Sequence, residues 1–330
     1  ITGATQVDGG NYSSCALLSN GTVKCWGTKG AYGFLGDGNL GIKTSPVTVS
    51  GLSSVSVGEA YNHTCVVAGG AVKCWGDNSY GELGDGSTTN RSSPVSVSGI
   101  STATKVATGS DHSCALLDNK SIQCWGRGGY YQLGNTSTSN SSTPVNMYNL
   151  TNFKDIGIGG SLSCGVLDNG SVACWGHYIT RENSAWSTSG AYYTQPTVIP
   201  GISNAKLVGV GSAFGHGCAL HDNGTVSCWG RNSNQGQLGI GSNALWTTSS
   251  SPQNVTGLTD AVSLSVRRKT SCAILSSGAV KCWGNNTYGQ LGIGNNTGNN
   301  SRIGDDSGEM DQLTGINLGT GHTATAIAAG

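Results

Sequence analysis

Six copies of the triplet Cys-Trp-Gly constrain this chain more than any other feature. They stand at Cys25-Trp26-Gly27, Cys74-Trp75-Gly76, Cys124-Trp125-Gly126, Cys174-Trp175-Gly176, Cys228-Trp229-Gly230 and Cys282-Trp283-Gly284. Nine or ten residues upstream of each lies a second cysteine: Cys15, Cys65, Cys114, Cys164, Cys218 and Cys272. Successive triplets are 49 to 54 residues apart, so one unit recurs along the 330 residues.

Other positions keep step with the triplet. A short Val/Ile-x-x-Gly segment precedes the first cysteine, as at Val7 to Gly10 and Val106 to Gly109. A Tyr-Gly-x-Leu-Gly loop follows the triplet at Tyr80 to Gly84 and Tyr288 to Gly292, and then a Pro-Val segment at Pro46, Pro94 and Pro144. Four short strands per unit are expected: Val-x-x-Gly, Cys-Ala-Leu-Leu, Thr-Val-Lys-Cys-Trp and Pro-Val-x-Val. Proline would open the fourth, where a missing N–H does no harm. Composition agrees. Glycine is abundant (54 residues) and charged residues are scarce (10%), which suits strands joined by tight turns and excludes long helices. Four strands per 50-residue unit predicts an all-β propeller. The units fall at approximately 4–51, 52–102, 103–152, 153–204, 205–258 and 259–323 of a single domain. Ala324-Thr325-Ala326-Ile327 echoes Ala103-Thr104-Lys105-Val106 and opens a seventh.

The cysteine pairs have a geometry. In repeat two a Gly69-Gly70 turn puts Ala68 opposite Ala71, Val67 opposite Val72, Val66 opposite Lys73 and Cys65 opposite Cys74. Opposed residues of a non-hydrogen-bonded antiparallel pair lie about 4.5 Å apart at Cα, within disulfide reach. The leading reading is six cross-hairpin disulfides, Cys15–Cys25, Cys65–Cys74, Cys114–Cys124, Cys164–Cys174, Cys218–Cys228 and Cys272–Cys282. Zinc and buried free thiols are the alternatives, although two cysteines across one hairpin supply only half a tetrahedral site. Six disulfides would place the protein in an oxidising compartment, extracellular or at a cell surface.

The pattern resembles the regulator of chromosome condensation repeat. It is carried by His112-Ser113-Cys114-Ala115-Leu116, by Asn223-Gly224-Thr225-Val226-Ser227-Cys228-Trp229-Gly230 and by Gly236-Gln237-Leu238-Gly239. The resemblance covers nearly the whole chain and implies a β-propeller, usually of seven blades. The paired-cysteine form looks like a secreted prokaryotic branch. The family's nuclear nucleotide exchange and chromatin binding are not expected here. Disulfides do not suit the nucleus, and 17 basic against 17 acidic side chains give no general pull toward nucleic acid. Other members are protein-binding modules.

Function in a repeat array is sought where the repeat is broken. The loops between first and second strands vary most and would gather on one face. Tyr61, Asp111, Phe214, Arg267, Arg268 and Lys269 are the candidate binding face there, with arginines and aromatics as anchors. Repeat four replaces its Gly-x-Leu-Gly loop with residues 177–193, adding Trp186, Tyr192 and Tyr193; repeat five adds Trp246. His63, His112, His216 and His322 share a slot two residues before the cysteine position and read as structural, whereas His177 and His221 fall outside it with no visible partner. Asp305, Asp306 and Glu309 lack a full calcium-loop pattern, and neither a metal nor another cofactor is expected. No catalytic motif is present.

No apolar run approaches the roughly 20 residues of a membrane span. Ile1 is not an initiator Met, which suggests a mature product or an excerpt. Sequons at Asn20, Asn62, Asn90, Asn140, Asn254, Asn285 and Asn299 would permit glycosylation. The expected function is a non-catalytic extracellular propeller that binds a protein or glycan. The alternative is a subunit of an extracellular filament, bound to copies of itself by strand addition at the chain's end.

Overall fold

The computed structural model describes residues 1–10, 13–28, 33, 35–52, 56–59, 62–178, 191–212, 215–232, 235–242, 248–294 and 301–329. Six four-stranded antiparallel sheets form the blades of a β-propeller, and each sheet takes its strands in chain order from the centre outward. The innermost strands are Ala4–Gly9, Ser56–Glu59, Ala103–Thr108, Phe153–Ile158, Ala205–Val210 and Ala261–Arg267. The only α-helix among the described residues is Glu309–Gln312, and no helix is long and apolar enough to cross a membrane.

The hairpin register agrees with the expectation residue for residue. Ala68 faces Ala71, Val67 faces Val72, Val66 faces Lys73 and Cys65 faces Cys74. Gly69 and Gly70 have φ of 60° and 83°, the left-handed backbone that a two-residue turn requires at both positions. All twelve cysteines form disulfides across their own hairpins, with Cα–Cα separations of 4.0–4.1 Å.

The fourth strand differs from the expectation. Blade one's is Lys43–Thr48, blade two's Arg91–Ser96 and blade three's Ser141–Asn146. Pro46, Pro94 and Pro144 therefore lie inside these strands instead of opening them. A bulge opposite, between Cys25 and Gly27 in blade one, and the strand's place at the outer edge make the missing N–H harmless. In blade six the fourth strand shrinks to Arg302–Ile303.

Neighbouring blades lock together through one repeated contact. The Trp125 indole of blade three is fully buried, and its Nε1–H donates to the Glu82 carbonyl of blade two at 2.7 Å. Trp175 donates to the Gln132 carbonyl at 2.9 Å, and Trp283 to the Gln237 carbonyl at 3.1 Å. Beside each tryptophan, Ser113, Ser163 and Ser271 donate to the same three carbonyls. The ring lies over a glycine: a Cβ on Gly84 would stand 2.9 Å from Trp125, and one on Gly134 would stand 3.0 Å from Trp175.

Histidine adds a second tie. His63, His112 and His216 are buried and meet Ser113, Ser163 and Ser271 of the following blade at 2.8, 2.8 and 3.3 Å. Because each serine spends its proton on a carbonyl, the imidazole Nε2–H must be the donor. His322 departs from the expected slot: it is exposed and precedes residues 324–329, which correspond to an inner strand, whereas His63, His112 and His216 each open a second strand.

In blades three to six the first residue of the inner strand donates to the preceding hairpin turn. Ala103 N bonds Gly70 O at 2.8 Å, Ala205 bonds Gly170 at 3.0 Å and Ala261 bonds Gly224 at 2.9 Å. Ala324 bonds Gly278 in the same way at 2.9 Å. Residues 324–329 thus occupy the seat of a further inner strand. They line the central channel, a cavity of about 370 Å³, together with all six inner strands, but no second strand pairs with them among the described residues.

Candidate functional site

Antiparallel order sends the loops between first and second strands, and those between third and fourth, to one face of the propeller. On this face blades two, three and four join in one continuous surface. Arg127 leaves the third strand of blade three (Ile122–Gly126). Its backbone N–H donates to the Asp111 carbonyl at 2.8 Å, and its Nη1–H donates to Asp111 Oδ2 at 3.0 Å. The guanidinium is thereby held between two rings, 4.9 Å from the Tyr80 centroid and 5.0 Å from that of Tyr130.

The surface continues into blade four. Tyr130 stacks on His177 at 5.4 Å, and His177 meets Tyr192 at 5.2 Å. Tyr192 also lies 6.2 Å from Tyr130 and 6.0 Å from Tyr131. The register between the third and fourth strands of blade four places His177 opposite Tyr192. Next to them Tyr178 and Tyr193 stack at 4.2 Å, and burial followed by the Tyr178 hydroxyl pushes the Tyr193 phenol up to about 12. Burial lowers the His177 pKa below its ordinary value, so the ring is neutral at pH 7. The surface therefore presents one fixed cation, one carboxylate and several amphipathic rings.

Tyr131 has φ 62°, a left-handed conformation unfavourable for a bulky residue. The corresponding loop positions in blades two, five and six are Gly81, Gly236 and Gly289, all with positive φ. Beside the rings, a cavity of about 240 Å³ is lined by Ser110, Asp111, Gly160, Ser161, Leu162, His177, Gly211, Ser212 and Gly215. It brings the first-to-second-strand loops of three blades to one opening.

Of the residues expected to contribute, Asp111 and Tyr192 join the surface, whereas Tyr193 stacks on Tyr178 against a buried core cluster. Arg267 does not join it either: its Nη1–H donates to Asp8 Oδ1 at 3.1 Å and ties blade six to blade one. Arg268 and Lys269 follow it in the turn to Thr270, away from blades two to four. Burial lowers the Lys269 pKa, with Arg231 and Arg268 adding to the effect. Tyr61, Phe214, Trp186 and Trp246 lie outside the described residues.

Arg127, Tyr130, Tyr131 and His177 were missed. The available signal was the pair Tyr130-Tyr131, where the repeat calls for Tyr-Gly. His177 has Tyr130 and Tyr192 as partners. His221, on the opposite face, is partnered too. Its Nδ1–H donates to Ser203 O at 2.9 Å, which leaves Nε2 to accept from Ser227 Oγ at 2.7 Å. After the short fourth strand of blade six, Glu309 Oε2 accepts the backbone N–H groups of Gly304, Asp305 and Asp306, and Asp305 pairs with Arg302. No metal-ligand cluster is found among the described residues.

A ring of disulfide-stapled four-stranded repeats, locked blade to blade by tryptophan, defines a propeller whose variable parts are its loops. The chain belongs to the regulator of chromosome condensation (RCC1) repeat family: two models of that repeat match residues 69–116 and 122–166, and 4–33, 103–132, 208–237 and 268–290. Over 100 residues it is 35% identical to the human probable E3 ubiquitin-protein ligase HERC4, a match covering 30% of this chain and 9% of the ligase. Yeast RCC1 (Prp20), solved with Kap60, superposes with a TM-score of 0.79 at 19% identity, covering 98% of this chain and 77% of that one. Human WBSCR16 superposes with a TM-score of 0.76 at 20% identity, covering 96% and 82%. These two likenesses are of fold.

Proposed function

We propose that this chain is a non-catalytic extracellular or cell-surface binding module, and that it holds a protein or glycan on the surface formed by Tyr80, Asp111, Arg127, Tyr130, Tyr131, His177 and Tyr192. The observation that carries the reading is the guanidinium held between two tyrosines, beside a tyrosine kept in an unfavourable conformation. Aromatic and arginine side chains are the usual anchors of binding surfaces, and backbone strain concentrates where a ligand is gripped. Six disulfides support an oxidising compartment. Balanced charge argues against nucleic acid as the ligand.

A glycan array and a panel of purified surface proteins test the reading, probed with the wild-type protein and with Arg127→Ala/Tyr130→Ala. Binding that falls at least tenfold in the variant, at unchanged melting temperature, is expected. Ligands held equally well by the variant would remove this surface from the function.

A second reading is favoured by one observation. Residues 324–329 occupy the seat of an inner strand beside blade six and pair with no second strand among the described residues, a geometry suited to a filament subunit joined by strand addition.

A further inference from the structure

The histidine–serine tie found between blades two and three, three and four, and five and six is missing between blades four and five. Leu162 stands opposite Gly176 where His112 stands opposite Gly126, and Gly217 faces Trp229 where Ser163 faces Trp175. Neither replacement carries a side-chain polar atom. A Cβ on Gly217 would stand 2.5 Å from the Trp229 indole, so the ring lies over the residue that replaces the serine. Blade four also exchanges its Tyr-Gly-x-Leu-Gly loop for residues 177–193. The cavity of about 240 Å³ beside the tyrosines opens at this junction, with Leu162 in its wall.

The cavity is polar, and its walls are fixed before any ligand arrives. Ser110 N donates to Gly160 O at 3.2 Å and His177 N to Ser161 O at 2.9 Å, which holds the loops of blades three and four around it. A Cβ on Gly160 would stand 2.4 Å from Ser212 O, so the loop of blade five closes against them too. Asp111 commits Oδ2 to Arg127. Its Oδ1, the hydroxyls of Ser110 and Ser161 and both ring nitrogens of His177 make no hydrogen bond among the described residues. The neutral His177 imidazole offers one donor and one acceptor. Among the described residues Leu162 alone brings an apolar side chain to the lining, and it is 3% exposed. Tyr192, against His177, is 40% exposed and keeps part of its ring open.

We infer that this cavity seats one neutral sugar ring, a hexose at the end of a glycan. The inference rests on the binding surface proposed above and commits its ligand to carbohydrate. Vicinal hydroxyls both donate and accept, as a carboxylate oxygen, an imidazole edge and two serine hydroxyls together require. The C–H face of a pyranose is apolar and covers an aromatic ring such as Tyr192. A protein partner would anchor an aromatic or aliphatic side chain in an apolar pocket, which Leu162 by itself does not make. An acidic sugar would bring its carboxylate beside that of Asp111, and the cation that could offset it, Arg127, is already paired. Pockets that enclose drug-sized ligands run to roughly 300–1,000 Å³. This one is smaller and admits a single ring, with the rest of the glycan crossing the tyrosines.

Saturation-transfer NMR on the full chain, with the methyl glycosides of glucose, galactose and mannose as probes, tests the inference. At least one should bind. Its signal should fall at least fivefold in Ser161→Leu, which fills the cavity and leaves Arg127, Tyr130 and Tyr192 in place. Ser110→Val is the second variant should Ser161→Leu lower the melting temperature. Methyl glucuronide should not bind. Silence from all three glycosides at tens of millimolar, equal signals in both cavity variants, or a preference for the glucuronide would overturn the inference. The surface reading fails separately. If the wild type binds no glycoside but holds a deglycosylated protein that Arg127→Ala/Tyr130→Ala releases, the surface stands and the sugar falls. Glycoside binding lost in Ser161→Leu, with every larger ligand held equally by Arg127→Ala/Tyr130→Ala, would keep the sugar in its cavity and remove the tyrosine surface.

Discussion

Glu82 does in blade two what Gln132 and Gln290 do in blades three and six: its side-chain oxygen accepts the N–H of the loop tyrosine two residues before it. A carboxylate does this at a cost that an amide avoids. Glu82 is 2% exposed, and burial first of all, with Asp77 and Asp111 adding to it, pushes its pKa up to about 7. A carboxyl whose folded pKa is raised destabilises the fold once pH exceeds the unfolded value and most fully above the folded one. Glu82→Gln should therefore stabilise the protein by about 2–3 kcal/mol at pH 8, with the gain vanishing near pH 4.5, as read from denaturant midpoints at both pH values. Tyr131 carries a separate cost. Tyr131→Gly should raise stability by roughly 0.5–1 kcal/mol by restoring the residue that a left-handed backbone favours, while weakening ligand binding. A variant that gains nothing in stability would show that the loop is not strained at this position.

The hairpin is the element in which local sequence and tertiary structure coincide. Turn type, register and the facing of the two cysteines all follow from the glycine pair and from counting outward, which is why this part of the fold could be read in advance. Opening one staple should show its worth. Cys114→Ala/Cys124→Ala is expected to cost about 2–3 kcal/mol, the chain-entropy value for a loop of this size, measured by urea unfolding of the variant under non-reducing conditions. The fourth strand was less legible because it depends on a bulge in its partner, which lets Pro46 lie mid-strand. The loop surface was less legible still. Arg127 is one residue past a motif glycine, and nothing local indicates that Tyr80 of one blade and Tyr130 of the next close on it. Asp111 was identifiable because it stands where the repeat varies. The fate of Arg267 was not, because its partner Asp8 is 259 residues away in the chain and is reached only as blade six approaches blade one.

At the scale of the whole ring, the blades are held to one another partly by neutral imidazoles, and this gives the molecule a pH dependence with a definite sign. Burial holds His63, His112 and His216 down to about 4, 3 and 4, with Asp77 partly offsetting the effect at His63 and His63 adding to it at His112. The unfolded imidazoles take up protons below about 6.5. Between pH 6.5 and about 4 the unfolded chain therefore binds more protons at these sites, so their stabilisation is complete above about pH 7 and is lost as pH falls. Glu82 opposes them in the same window, since its folded form keeps a proton that the unfolded form releases. Three groups taking up protons against one releasing a proton leave a net uptake of about two on unfolding near pH 5.5, or a slope of roughly 3 kcal/mol per pH unit. Calorimetry between pH 7 and 5 should show the melting temperature falling with acid, and His112→Gln should halve the slope by removing one proton from the balance. A melting temperature that is flat across this window would mean that the imidazoles between the blades remain accessible to protons in the folded ring. The cohesion assigned here to buried histidine would then have to come from tryptophan and glycine alone.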